Sequence, residues 1–153
     1  MILVSGCLAG LNCKYNGGNN ENAFVRELVD SGKAIMVCPE VYGGLETPRD
    51  PSEILGDRVV SSKGKDVTKE FALGAKRAYN EARLMGVDLA ILKAKSPSCS
   101  KGKIYDGSFS GKLIDGNGIF ADMLLREGIK VFTEKELEDK EAREEILRAI
   151  EGK

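Results

Sequence analysis

Short apolar runs alternate with amphipathic stretches along the chain, and the alternation predicts an α/β order of elements. The run "ILVSG" at residues 2–6 is mostly apolar and closes on glycine, the pattern of a short buried strand. Residues 20–31 put Phe24 and Leu28 on one side of a helix, with Asn20 as its cap and Gly32 as its stop. "AIMVC" predicts a second strand over 34–38. Residues 46–66 are rich in Pro, Gly, Ser and Asp and read as loop, with a small hairpin around "RVVSSKGKDV". Over 67–85, Phe71, Ala75, Ala78, Ala82 and Met85 recur at helical spacing, an apolar stripe that Gly86 ends. "VDLAILKAK" predicts a third strand, 100–118 a long loop rich in glycine and serine, "GIFADMLLREG" a helix and "IKVFT" a fourth strand. Thr133 and Glu136 then have capping-box spacing ahead of a last, charged helix, "EKELEDKEAREEILRAI".

Strands that alternate with helices imply a mostly parallel sheet of about four to five strands flanked by helices, a three-layer, Rossmann-like α/β domain. No repeat, low-complexity segment or shift in composition marks a second unit, so one domain over 1–153 is expected. In such sheets, ligands bind beyond the carboxyl ends of the strands. Three cysteines are expected on that edge: Cys7 after the first strand, Cys38 after the second and Cys99 after the third.

Composition narrows the chemistry. The chain of 153 residues contains no histidine, which removes the commonest general base and the imidazole metal ligand. Acid–base work falls to carboxylates, lysines, tyrosines, hydroxyls or thiols, and a metal falls to thiolate or oxygen. A formal net charge of −1 argues against a broad nucleic-acid surface. No apolar stretch approaches the roughly 20 residues of a membrane span, and a cytoplasmic protein is expected. Four cysteines in such a chain point to metal binding or catalysis ahead of a disulfide framework.

Thiolates from three separate loops suit a soft metal or an iron–sulfur cluster, and their spacing is not the compact CxxC of a zinc ribbon. The plainer alternative is that buried cysteines act as small hydrophobes. Glu40 follows Cys38 by two residues. It reads either as a general base near the thiols or as a solvated, cap-like carboxylate. In an extended segment the two side chains would point the same way. Ser96 and Ser98 flank Pro97, and Ser98 reads as turn chemistry. Cys13 is either a fourth ligand or a spare thiol in the loop. Arg49 is either a surface partner of Glu46 or a brace for the site. Tyr15, Tyr42 and Tyr105 either stack on a ring or cover core. "DGNG" ahead of a helix either meets an anion or shapes a turn.

Three words of this sequence, "VSGCLAGLNCKYNG", "CPEVYGGLETPR" and "KAKSPSCSKGKIYDG", resemble the family that contains the 2-thiouracil desulfurases, small proteins long filed as a domain of unknown function. "GNGIFADMLLREGIKVF" is similar to that family's closing helix and strand, so the resemblance runs to about residue 133. It implies that Cys7, Cys38 and Cys99 bind a [4Fe–4S] cluster and leave one iron without a protein ligand, with Cys13 not required. It further implies that Glu40, of "CPE", and Ser96, the first serine of "SPSC", serve catalysis. The implied reaction is hydrolytic and non-redox. The open iron takes the sulfur of a thiolated pyrimidine, base or nucleoside, water attacks the ring carbon, and sulfide leaves. Two other readings compete with it: a non-catalytic thiolate-metal protein, structural or redox-sensing, holding zinc or a cluster, and a small-nucleotide binding module built on the glycine loops.

Overall fold

The computed structural model describes residues 1–151. In chain order the elements begin with β1 (Ile2–Ser5), a 3₁₀ turn at Gly6–Ala9, α1 (Ala23–Asp30), β2 (Ala34–Val37) and α2 (Pro39–Tyr42). A hairpin of β3 (Ser52–Leu55) and β4 (Arg58–Ser61) leads to α3 (Thr68–Leu84) and β5 (Leu89–Leu92). A second hairpin, β6 (Lys103–Tyr105) and β7 (Leu113–Asp115), precedes α4 (Ile119–Arg126) and β8 (Lys130–Thr133). A 3₁₀ turn at Glu136–Glu138 and α5 (Lys140–Glu151) complete the described residues.

Four strands form one parallel sheet in the order β2-β1-β5-β8. The chain steps from β1 to β2 in one direction and then returns past β1 to lay down β5 on its other side. The crevice beyond the carboxyl ends of β1 and β5 is therefore a topological switch point, where open α/β sheets bind ligands. Register sets the height of the rim: Ser5 at the end of β1 pairs with Val37 at the end of β2, so the chain leaves both strands at one level.

Alternate strand residues serve opposite faces of the sheet. Leu3, Val37, Ala90, Leu92 and Val131 pack against Ala75, Ala78 and Ala82 of α3 and Phe120, Ala121 and Leu124 of α4. Ile2, Val4, Leu89, Ile91 and Phe132 pack against Val25 and Leu28 of α1, Leu137, and Ile146 of α5. Helices thus cover both faces, the expected three layers. A smaller cluster of Ile54, Val59, Val67, Phe71 and Ile104 seats the two hairpins on the start of α3.

Local chemistry moves several boundaries. The first helix starts at Ala23, because the Asn22 side chain, not Asn20, accepts from Val25 N and caps it. Met85 lies past the end of α3 and is 45% exposed, so the buried stripe stops at Ala82. The capping-box spacing is half realised: Glu136 Oε1 accepts from Thr133 N at 3.1 Å, but this closes only the 3₁₀ turn. Asp139 is extended and accepts from Glu141 N, so the last helix starts anew at Lys140. The hairpin of the 46–66 segment pairs β3 with β4 across Gly56 and Asp57, and "RVVSSKGKDV" adds a bridge from Val60 to Asp66. Among the described residues, no helix is long and apolar enough to cross a membrane.

Candidate active site

Each cysteine of the rim is delivered by a strand end. Cys7 sits in the 3₁₀ turn that continues β1, half-buried. Its carbonyl accepts from Asn20 N at 2.9 Å, which folds the 10–20 loop back over the turn. Cys13 lies in that loop, buried, with its sulfur close over Gly6: a β-carbon at Gly6 would stand 3.4 Å from it. Cys38 ends β2 and is the N-cap residue of α2, with Pro39 in the first turn, a position suited to the fixed φ of proline. The backbone after Cys38 is therefore helical, not extended, and Glu40 reaches the rim from the first turn of α2. Cys99 follows β5 on the turn that starts at Ser96 and is buried. All four thiols are free, and all four, with Glu40 and Ser96, line one open cleft of about 320 Å³.

Two backbone contacts fix this rim, and both require glycine. A β-carbon on Gly74 of α3 would lie 1.7 Å from the Pro39 carbonyl oxygen, and one on Gly43 would lie 1.9 Å from that of Glu70. The helix carrying Glu40 thus rests backbone to backbone on α3. A β-carbon on Gly118 would lie 2.5 Å from the Ser98 carbonyl carbon. There the opening amides of α4 are used up: Gly118 N donates to Ser100 O, Ile119 N to Pro97 O, and Phe120 N and Ala121 N to Ser98 O. "DGNG" therefore presents its helix start to the Cys99 turn and not to an anion.

Between the two moorings runs a line of polar contacts. Arg49 Nε donates to Glu40 Oε1 at 3.1 Å, in an ion pair whose side chains are 9% and 14% exposed. The same guanidinium donates to Cys13 O, Glu46 O and Thr47 Oγ1, so Arg49 ties α2 and its own loop to the loop of Cys13, and meets the backbone of Glu46, not its carboxylate. The other carboxylate oxygen, Oε2, accepts from Ser98 Oγ at 3.0 Å, and Ser98 Oγ lies 3.0 Å from Ser96 Oγ. Ser96 Oγ also accepts from Ser98 N and Cys99 N, each at 3.1 Å. Ser98 is therefore more than turn chemistry: at 2% exposed, its hydroxyl links the two candidate catalytic residues.

The thiols feel one another. Burial raises the Cys7 thiol above its ordinary value, against a hydrogen bond from Asn20 that lowers it. Desolvation pushes Cys99 up to about 12. Cys13 is raised, first by its pairing with the Cys38 side chain, and Cys38 is lowered to about 7 chiefly by that same pairing, while Cys38 Sγ also donates to Cys13 O at 3.8 Å. Like-charge repulsion among Cys7, Cys38 and Cys99 is a common contribution. Crowded thiols without imidazole or a free carboxylate among them are a soft donor set, and a cationic group would favour their thiolate forms. Among the described residues no three of the Cys, Asp and Glu side chains converge on a point that could hold one metal ion. A cluster asks for something else, thiolates around a volume, each binding its own iron. The donor set fits that group.

Tyr15 and Tyr105 line the cleft, whereas Tyr42 belongs to the core beside α3 and donates to Glu81 Oε2 at 2.7 Å. Sequence reasoning did not single out Asn20 as a partner of Cys7, nor Lys93. Lys93 lies in the cleft and its Nζ stands 2.8 Å from Glu134 Oε2. A lysine directly after β5 and a glutamate directly after β8 share the sheet's carboxyl edge, and that placement was a readable signal.

A family model described as 2-thiouracil desulfurase matches residues 2–136. The chain is 44% identical over 149 residues to the uncharacterized protein YbbK of Bacillus subtilis (strain 168), covering 91% of this chain and 99% of that one. A solved structure of the [4Fe-4S]-dependent thiouracil desulfidase TudS is 43% identical, covers 89% of this chain and 91% of its own, and superposes with a TM-score of 0.84.

Proposed function

The chain belongs to the 2-thiouracil desulfurase family, and from that premise we propose that it removes sulfur from a thiolated pyrimidine by hydrolysis, without net redox change, with Cys7, Cys38 and Cys99 holding a [4Fe–4S] cluster. The observation that carries the reading is the convergence of these three strand-end thiols on one cleft that also holds the Glu40 carboxylate. Three protein ligands for four irons leave an open position, as in catalytic metal sites. When bound, the cluster supplies a soft Lewis acid for the thiocarbonyl sulfur.

The chain's own residues supply the rest. Glu40, with Arg49 on one oxygen and Ser98 on the other, is held at the rim to take a proton from the attacking water. Ser96, fixed by two amide donors, presents a hydroxyl at the same rim for orienting that water. Tyr15 and Tyr105 offer ring faces to a flat heterocycle. The formal net charge of −1 favours a free base or nucleoside over a base in a long RNA. We read 1–153 as one such domain acting in the cytoplasm, where thiols are kept reduced.

The test is anaerobic reconstitution with iron and sulfide, followed by uracil release from 2-thiouracil. The loaded protein should be brown and active. Cys38→Ala should lose the visible absorption and the activity together. A Cys38→Ala protein that retains full iron and sulfide would remove the ligand assignment, and a loaded wild type that releases no uracil would remove the activity.

A further inference from the structure

We propose that Lys93 is a specificity-determining residue, presenting an N–H donor to the carbonyl oxygen that a thiolated pyrimidine carries beside its thiocarbonyl group; this rests on the desulfuration activity proposed above. Such a ring has two exocyclic acceptors of different kinds. The thiocarbonyl sulfur is soft and suits the thiol-lined side of the cleft. The carbonyl oxygen is hard and is met best by a charged donor. Loop amides near the thiols are already engaged. Lys93 N donates to Ser5 Oγ and Lys95 N to Ser100 Oγ, each at 3.0 Å, and Ala94 N donates to Glu134 Oε1 at 2.6 Å. Ser98 N and Cys99 N both serve Ser96 Oγ. The donor for the ring oxygen therefore falls to a side chain.

Lys93 is the cation of the cleft best placed to give it. Arg49 is 9% exposed and spends four of its five guanidinium donors on Glu40, Glu46, Thr47 and Cys13. Lys95 is exposed, and Lys14 is held by Asn20 Oδ1 at 3.3 Å. Lys93 is fixed at both ends. Its backbone is tied to the end of β1 through Ser5, and its ammonium lies 2.8 Å from Glu134 Oε2 and 2.9 Å from Ala94 O. Those two acceptors take two of the three donors of an ammonium and leave one, on a side chain that lines the cleft. Strand order sets the direction. Along the rim, β2, β1, β5 and β8 are followed in turn by Cys38, the Cys7 turn, Lys93 and Glu134. A ring whose sulfur lies at the thiols can extend its oxygen toward Lys93 without leaving the rim. Because the ammonium is held before the ligand arrives, little ordering opposes the bond.

The test compares two ligands that carry no sulfur: uracil, and pyrimidin-2-one, which lacks the second carbonyl oxygen. Calorimetry on reconstituted protein at matched iron and sulfide reads their binding without relying on turnover. The wild type should bind uracil more tightly by about ten-fold or more, the effect of a hydrogen bond from a charged donor. In Lys93→Met the ratio should fall below about three-fold, with uracil weakened and pyrimidin-2-one nearly unchanged. Lys93→Arg, which restores a charged donor, should recover part of the preference. Glu134→Gln keeps an oxygen acceptor for the Lys93 ammonium and for Ala94 N, and should keep the ratio. A merely structural role for Lys93 would weaken both ligands alike and leave the ratio standing. Equal binding of the two ligands by the wild type, or an undiminished ratio in Lys93→Met, would overturn the assignment while leaving the activity in place. A loaded wild type that does not desulfurate 2-thiouracil would remove the assignment together with the activity it rests on.

Discussion

Gly74→Ala should damage this protein although alanine is the better helix former. Position 74 lies inside α3, where the exchange would by propensity alone stabilise the helix by about 1 kcal/mol. Against that stands the contact with α2. The new β-carbon would lie 1.7 Å from the Pro39 carbonyl oxygen, 2.7 Å from its carbon and 2.9 Å from Gly43 N, all backbone atoms that cannot rotate away. Real β-carbons essentially never approach closer than 3.0 Å, so the two helices must part by more than an ångström. Overpacking of this kind costs typically about 1–3 kcal/mol, with a rigid backbone obstacle at the upper end. The net loss of about 2 kcal/mol should lower Tm by about 4–8 °C in a chain of this size. The parting also moves Cys38 and Glu40, which ride on α2, and a misplacement near 1 Å can cost about a hundred-fold in rate. Circular dichroism of the metal-free protein gives the first number, and anaerobic uracil release at matched iron content gives the second. Gly43→Ala, whose β-carbon meets Glu70 O at 1.9 Å, should behave alike, and the pair should be non-additive because one displacement relieves both clashes. A raised Tm with unimpaired turnover would show that helix propensity wins and that the crossing does not set the site.

Arg49→Lys keeps the charge but offers one nitrogen where the guanidinium reaches Glu40, Glu46, Thr47 and Cys13, so urea unfolding should show a loss of about 2 kcal/mol, two or so net hydrogen bonds; unchanged stability would mean that the brace is idle. Cys13→Ser should keep both iron and activity, because the bonds from Cys38 and Arg49 go to the residue 13 backbone oxygen, which serine retains, and loss of both would make Cys13 a fourth ligand. In the metal-free protein near neutral pH, iodoacetamide should modify Cys38 well ahead of Cys99. The thiolate is the nucleophile, Cys38 is lowered to about 7 and half-buried, and Cys99 is pushed up to about 12 and buried. Peptide mass spectrometry reads the order, and equal rates at the two would contradict the environments assigned to them.

The parallel sheet was legible because its strands are buried on both faces: "ILVS", "AIMV", "LAIL" and "KVFT" stand out as short apolar or β-branched runs between turn residues. The hairpins were legible only in part: the turn-rich 46–66 segment marked one around "RVVSSKGKDV", but its first strand and the whole of the β6–β7 hairpin were not. β3 begins Ser-Glu after a proline, and all of β7 is exposed, so neither carries the pattern of a buried strand. The three rim cysteines were readable from their places after strands. The way Glu40 reaches them was misread as extended backbone, although a residue followed by proline and glutamate is also the opening of a helix. Ser98 was passed over because a serine beside proline has a sufficient local explanation. Its link to Glu40 spans 58 positions and leaves no periodic trace. The functional weight of Gly43, Gly74 and Gly118 likewise depends on which backbone lies opposite, which is a tertiary fact.

Those glycines divide the labour between the layers. Cys38 and Glu40 are moored to α3 through Gly43 and Gly74, and Ser96, Ser98 and Cys99 to α4 through Gly118, so both proposed acid–base residues hang from one face of the sheet. The other face carries α1 and α5 and contributes to the rim only the Cys7 turn, whose neighbours Leu8 and Ala9 pack into that layer. The family model ends at residue 136, before α5 begins at Lys140. α5 buries Ile146 completely, yet it offers no residue to the cleft. α5 thus packs one layer without touching the cleft, whereas the elements that carry the proposed chemistry are held by contacts where a single methyl group decides the geometry.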